Sequence, residues 1–275
     1  MKKILCAVDF STGSLHALDY AVKMACRLEA EVEMVWVDNT AEASSLTAIS
    51  KDLRLEVKKQ FEELMSERQQ ACSSIKIEYK LKKGKVYREV SALASAGKAD
   101  LIVAGSHGVS GFEQHWIGSN AFRIVSRAPV PVITVPLNYD IQRPVNKIVL
   151  PMDSTADTRL KVPVVIRFAK AFGAEMIVLA LSSTDLLSLQ KKVESNAAWA
   201  CNEIEKAGQK ASCERRKGKN ITQTTIEFAT ETDADLIAIM TEKDSSTSSL
   251  MLGQYARQMV NNASVPVLSV NADTY

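Results

Sequence analysis

Long hydrophobic runs are missing from this 275-residue chain. No stretch approaches the roughly 18 apolar residues that a bilayer crossing needs. The apolar run after Met1-Lys2-Lys3 ends at Asp9, too short for a signal-peptide core. No membrane association is expected, and the expected location is cytoplasmic. Proline (7) and glycine (11) are scarce, which excludes collagen-like and low-complexity chains. The cysteines, Cys6, Cys26, Cys72, Cys201 and Cys213, are odd in number, scattered and never in a C-x-x-C pair. They are expected to be reduced thiols, neither a disulfide framework nor a zinc site. His16, His107 and His115 have no spaced cysteine or carboxylate partners, so no metal site is expected. An excess of one charge is also absent: 34 Lys+Arg interspersed with 32 Asp+Glu leave a net +2. A nucleic-acid surface would need clustered basic charge, so no nucleic-acid partner is expected.

What remains is an ordinary globular composition, 46% hydrophobic and 24% charged, in a chain of the right length for two domains. Short apolar runs alternate with amphipathic stretches. Residues 4–8 read as a buried strand, and Leu15, Leu18, Val22 and Ala25 then trace one face of a helix. Strands follow at 32–37, 75–81, 101–104 and 130–135, separated by helices at 46–72, 86–96 and 119–127. Such alternation requires crossover connections and a mostly parallel sheet with helices on both faces.

The series then repeats. Lys3-Ile4-Leu5 and Asp9 align with Lys147-Ile148-Val149 and Asp153 at a shift of 144, as does Ala30-Glu31 with Ala174-Glu175. Ala99-Asp100-Leu101-Ile102 aligns with Ala234-Asp235-Leu236-Ile237 at a shift of 135, and Val130-Pro131-Val132 with Val265-Pro266-Val267 at the same shift. Four blocks with constant shifts mean a duplication. Domains are expected over 1–138 and 146–275, joined by the polar, proline-containing run 138–146.

One segment carries chemistry. Gly105-Ser106-His107-Gly108-Val109-Ser110-Gly111 leaves the C-terminal end of the 101–104 strand, and Gly118-Ser119-Asn120 opens the next helix. Ligands of open parallel sheets bind beyond the strands' C-terminal ends, and a helix N-terminus attracts anions through its free N–H groups. Glycine lets backbone approach a phosphate closely; Ser119 and Asn120 are good N-cap types. This is not a P-loop, because no glycine precedes Lys-Ser or Lys-Thr, nor a dinucleotide fingerprint, because the spacing is G-x-x-G. No catalytic residue is expected: 108–112 lacks the second glycine of G-x-S-x-G around Ser110.

Glycine, two residues, glycine, nine residues, then Gly-Ser, at Gly105, Gly108, Gly118 and Ser119, is combined with Lys-Ile-Leu-Cys-Ala-Val-Asp9 on the first strand. With Val-Pro-Val-Ile-Thr-Val135 on the last, the pattern resembles the universal stress protein family, as a tandem member. The resemblance implies two doubly wound α/β domains, each a five-stranded parallel sheet of order 3-2-1-4-5 with helices on both faces. It also implies ATP, or ADP or AMP, over the first and fourth strands of the first domain. Ala7, Val8 and Asp9 would face the adenosine, and Val37 the adenine edge. Gly105, His107 and Gly108 would line the ribose and phosphates. Gly118, Ser119, Asn120 and Ala121 would donate to phosphate, which would itself hold any Mg²⁺. Family members commonly dimerise through the last strand. The two copies are therefore expected to pair there as an intrachain pseudo-dimer, and higher assembly could add a second chain as a homodimer.

The second copy departs from the pattern: Gly105 becomes Met240, His107 Glu242, Gly108 Lys243 and Ser119 Gln254, while Gly118 survives as Gly253. Asp9 alone reads as a turn cap, and with the loop as a ligand contact. Trp36 and Trp199 read as core, His16 and His115 as solvated, and 245–249 as a serine-rich loop. The leading expectation is an ATP-dependent stress regulator that binds without efficient turnover, since it has no P-loop lysine. The alternatives are a slow nucleotide hydrolase and a ligand-free interaction protein.

Overall fold

Residues 1–39, 49–106, 119–241 and 253–272 are described by a computed structural model. The first half runs β1 (Lys3–Ala7), α1 (Thr12–Leu28), β2 (Glu31–Asp38), α2 (Ile49–Ala71), β3 (Ile77–Lys83), α3 (Val86–Ala96), β4 (Leu101–Gly105), α4 (Ser119–Arg127) and β5 (Val132–Val135). The second half repeats it: β6 (Lys147–Met152), a 3-10 turn (Asp157–Arg159), α5 (Val162–Phe172), β7 (Glu175–Ser182), α6 (Leu187–Lys206), β8 (Ala211–Lys217), α7 (Ile221–Glu231), β9 (Leu236–Thr241), α8 (Gln254–Asn262) and β10 (Val267–Asn271).

All strands join one ten-stranded sheet of order β3-β2-β1-β4-β5-β10-β9-β6-β7-β8. Each half is the expected 3-2-1-4-5 parallel sheet, and β5 and β10 meet antiparallel, Ile133 opposite Leu268. The expected intrachain pairing is therefore present. It gives each apolar last strand a partner and leaves as sheet edges β3 and β8, whose charged residues suit an edge. Because the seam is antiparallel, the strands of the two halves end on opposite margins of the sheet.

Central strands are buried on both faces and read as continuous apolar runs, as parallel strands between helix layers must. Helix ends are fixed locally. Ser11 caps α1 by accepting from Ser14 N, and Asn220 caps α7 through Gln223 N. Asp100 accepts from Lys2 and Lys3 N–H groups at 2.6 and 3.1 Å, and Asp235 repeats this with Asn146 and Lys147 at 2.8 and 3.0 Å. The linker is tied to both halves: Lys23 Nζ donates to Ile141 O at 2.7 Å, and Arg143 pairs with Asp235 at 2.8 Å. Tyr139 packs edge-on against Tyr20, and burial first, then the Asp235 charge, pushes its hydroxyl up to about 12.

Several expectations need correcting. Cys26 and Cys72 form a disulfide, so those two are not reduced thiols; spacing hid the pair because 46 residues separate them while the fold brings their Cα atoms to 6.3 Å. Cys6, Cys201 and Cys213 are free. Burial, then a hydrogen bond with Cys213, pushes the Cys201 thiol up to about 12. His16 is only half exposed, with Nε2 buried and unpartnered. Trp199, beneath the Arg159 guanidinium, and Trp36 both pack against the core as expected but are only half-buried. The last strand of the first half starts at Val132, not at 130. His115 and 245–249 lie outside the described residues.

Candidate functional site

The first-domain site is built where β1 and β4 end side by side. Cys6 pairs with Val103, so two residues further along Val8 comes level with Gly105. On its other side β1 pairs Ala7 with Val35, and the Val8 N–H donates to Val35 O at 2.9 Å, carrying Val37 to the same margin. Ala7 is half-buried, Val8 buried and Asp9 exposed, while Val37 lies just within the core.

Asp9 takes the turn-capping role that its sequence context offered. Its Oδ1 accepts from Ser11 N at 3.1 Å and Ser11 Oγ at 2.5 Å, and its own N–H donates to Ser14 Oγ at 3.2 Å. Oδ2 has no hydrogen-bond partner among the described residues, and the residue is exposed.

Gly105 is required by packing. A Cβ there would meet Gly13 O at 2.7 Å and Gly13 C at 2.8 Å, backbone that cannot swing aside. The helix α1 thus starts directly against the end of β4. Sequence reasoning missed Gly13; the signal was a glycine in the first turn of a helix, where it costs helix propensity and needs a reason. The second copy supports this account. There Met240 replaces Gly105 and Asp157 stands at Gly13's position, and the helix begins only at Val162 after a 3-10 turn, six residues later than the α1 register predicts.

His107, Gly108 and Gly118 lie outside the described residues. Beyond them α4 starts at Ser119, with Asn120 exposed and Ala121 buried against the core. The structure thus brings Ala7, Val8, Asp9, Val37 and Gly105 to one margin of the sheet, from which the glycine pattern leads to α4. Among the described residues no group of His, Cys, Asp and Glu could hold a metal ion, and no helix is long and apolar enough to cross a membrane.

Comparison with known proteins matches the universal stress protein family model twice, over residues 1–136 and 144–271. The chain belongs to the universal stress protein family. It is a tandem member, and single-unit universal stress proteins match half of it. Universal stress protein MJ0531 of Methanocaldococcus jannaschii is 33% identical over 147 residues, 49% of this chain and 81% of the relative. YxiE of Bacillus subtilis is 30% identical over 144 residues, 48% of this chain and 97% of the relative. A crystal structure of a universal stress protein from Archaeoglobus fulgidus overlays 98% of both chains with a TM-score of 0.80 at 16% identity, so the whole tandem architecture has a solved counterpart.

Proposed function

We propose that this universal stress protein binds an adenine nucleotide, ATP or its ADP or AMP counterparts, in its first domain and works as a regulatory binding module in the cytoplasm. One observation carries the reading: β1 and β4 end side by side, which brings Val8 and then Asp9 beside Gly105, and the chain from β4 runs through the glycine pattern to the N-terminus of α4. In this reading Val37 offers backbone to the adenine edge. Asp9 Oδ2 meets the adenosine, and Gly105, His107 and Gly108 line ribose and phosphate. Gly118, Ser119, Asn120 and Ala121 present donors at the helix end, where the dipole adds up to about 2 kcal/mol. Any Mg²⁺ is held by the phosphates. Turnover is not part of the proposal, since phosphoryl transfer ordinarily relies on a phosphate-binding lysine and an arginine finger. A homodimer would need a surface other than β5 and β10, which already pair with each other.

The test is equilibrium dialysis of the full chain against labelled ATP. About one nucleotide per chain is expected, because Met240, Glu242, Lys243 and Gln254 replace the pattern in the second copy. A micromolar site is worth about 8 kcal/mol, and losing several charge-assisted bonds of about 1.5–3 kcal/mol each removes most of that. Gly118→Val should abolish uptake without lowering the melting temperature. Uptake near two per chain, or none at all, refutes the reading, and steady phosphate release would make the protein a slow hydrolase instead.

A further inference from the structure

We propose that the second domain carries a separate oxyanion site, beyond the C-terminal end of β6, for a compact phosphate monoester such as a sugar phosphate. The duplication supplies the comparison. Thr155 N and Oγ1 donate to Asp153 Oδ1 at 2.8 and 2.5 Å, and Asp153 N donates to Thr158 Oγ1 at 3.4 Å. These are the bonds that Ser11 and Ser14 make with Asp9. In this shared frame Ser154 stands where the first copy has Phe10, and Arg159 where it has Leu15.

The two turns are filled differently. In the first domain Phe10 packs against Phe61 at 4.9 Å, and Phe61 stacks on Tyr79 at 5.0 Å. In the second domain the corresponding region is a cavity of about 360 Å³ lined by Ser154, Thr155, Arg159, Lys192, Ser195 and Asn196. That volume suits a small organic ligand.

Arg159 is held in place before any ligand arrives. Its Nε donates to Asn196 Oδ1 at 2.8 Å, and its Cζ lies 5.0 Å from the Trp199 ring centroid. Asn196, 7% exposed, is fixed in turn by donating to Asp153 O at 2.8 Å and Thr155 O at 3.0 Å. With Nε engaged, the terminal guanidinium nitrogens have no partner among the described residues, and neither does the Lys192 ammonium. Two cations, hydroxyls and an amide line the space, and among the described residues no carboxylate side chain does. A rigid planar fork beside a point charge recognises a phosphate dianion, the dominant form of a monoester at neutral pH because its second pKa is about 6. A nucleobase would find no face to stack on, since Arg159 covers the nearby Trp199 and no aromatic lines the cavity among the described residues. The rest of the ligand must be small and hydroxylated, to suit Ser154 and Ser195.

The antiparallel seam places this cavity on the opposite margin of the sheet from Asp9 and Gly105, so it does not rest on the nucleotide proposal. The test is calorimetric titration of the full chain, saturated with ATP, using glucose 6-phosphate, glucose and inorganic phosphate. Glucose 6-phosphate should bind once per chain and glucose not at all. Lys192→Gln and Arg159→Gln should each weaken binding by roughly tenfold, and Lys191→Gln, outside the cavity, should leave it unchanged. Arg159→Gln also uncovers Trp199, so the exposed Lys192 decides if that variant folds poorly. No heat with glucose 6-phosphate, or heat indifferent to Lys192→Gln, would overturn the site. Inorganic phosphate binding as tightly as the ester would overturn its assignment to a monoester.

Discussion

Replacing Gly105 with alanine separates two explanations of this glycine. If it is there for a ligand alone, alanine costs affinity and leaves stability unchanged or slightly raised. The added methyl restricts the unfolded chain by about 0.4–1 kcal/mol, and Gly105 is not among the residues at positive φ. The structure requires a different result. The new Cβ would sit 2.7 Å from Gly13 O and 2.8 Å from Gly13 C, well inside van der Waals contact, and both atoms are backbone at the start of α1. Either α1 retreats or β4 bends, and forced overpacking of this kind typically costs about 1–3 kcal/mol. Net of the entropic gain, Gly105→Ala should destabilise by about 1–2 kcal/mol, or roughly 2–8 °C in melting temperature at 2–4 °C per kcal/mol. The assay is urea and thermal unfolding followed by circular dichroism without nucleotide. Met240→Gly is the mirror experiment. It removes a buried side chain where no helix start presses on the strand, and should cost about 3 kcal/mol through lost burial. A Gly105→Ala protein as stable as the parent would refute the packing account.

Three further outcomes can be checked by unfolding. Burial tends to raise the Glu33 carboxyl, but hydrogen bonds and charge from Lys80 and Lys3 outweigh it and hold the group below its ordinary value. Its stabilisation is therefore present above about pH 4.5 and lost as pH falls through the depressed value; the acid side of a melting profile should be shallower in Glu33→Gln. Reducing the Cys26–Cys72 bridge, which spans 46 residues, should cost about 4 kcal/mol by loop entropy, read as a lower melting temperature in dithiothreitol that Cys26→Ser/Cys72→Ser reproduces without reductant. Thr134 lies in the β5–β10 seam with its hydroxyl buried and unpartnered, so Thr134→Val should be neutral or stabilising by about 1 kcal/mol in urea unfolding; clear destabilisation would mean the hydroxyl has a partner.

Strand and helix order was legible because the two periodicities are strong and appear twice. The 3-2-1-4-5 order was not readable from periodicity and came from resemblance. Asp9 was visible as a turn residue and Gly105 as a necessary glycine, but the neighbour that necessitates it, Gly13, is remote in sequence. Long-range partners were hidden for the same reason: Cys26 meets Cys72 only where α1 and the end of α2 come together, and Glu33 meets Lys3 and Lys80 only once β1, β2 and β3 lie side by side. The polar cavity was hidden too. Arg159, Asn196 and Trp199 look like ordinary helix-face residues until the 3-10 turn and α6 are placed together.

The β5–β10 seam has a consequence for how the molecule can change over generations. A symmetric dimer carries one sequence twice, so any alteration to one pocket is copied into the other. Here the two partners are tethered, at an effective concentration in the millimolar range or above for a linker this short, and their pairing does not weaken on dilution. Each half can mutate alone while its neighbour completes the sheet. Glycine at 105 beside methionine at 240, and phenylalanine at 10 beside serine at 154, are differences that only a fused pair can hold. With strand ends facing opposite margins, whatever each half binds must approach from its own side of the molecule.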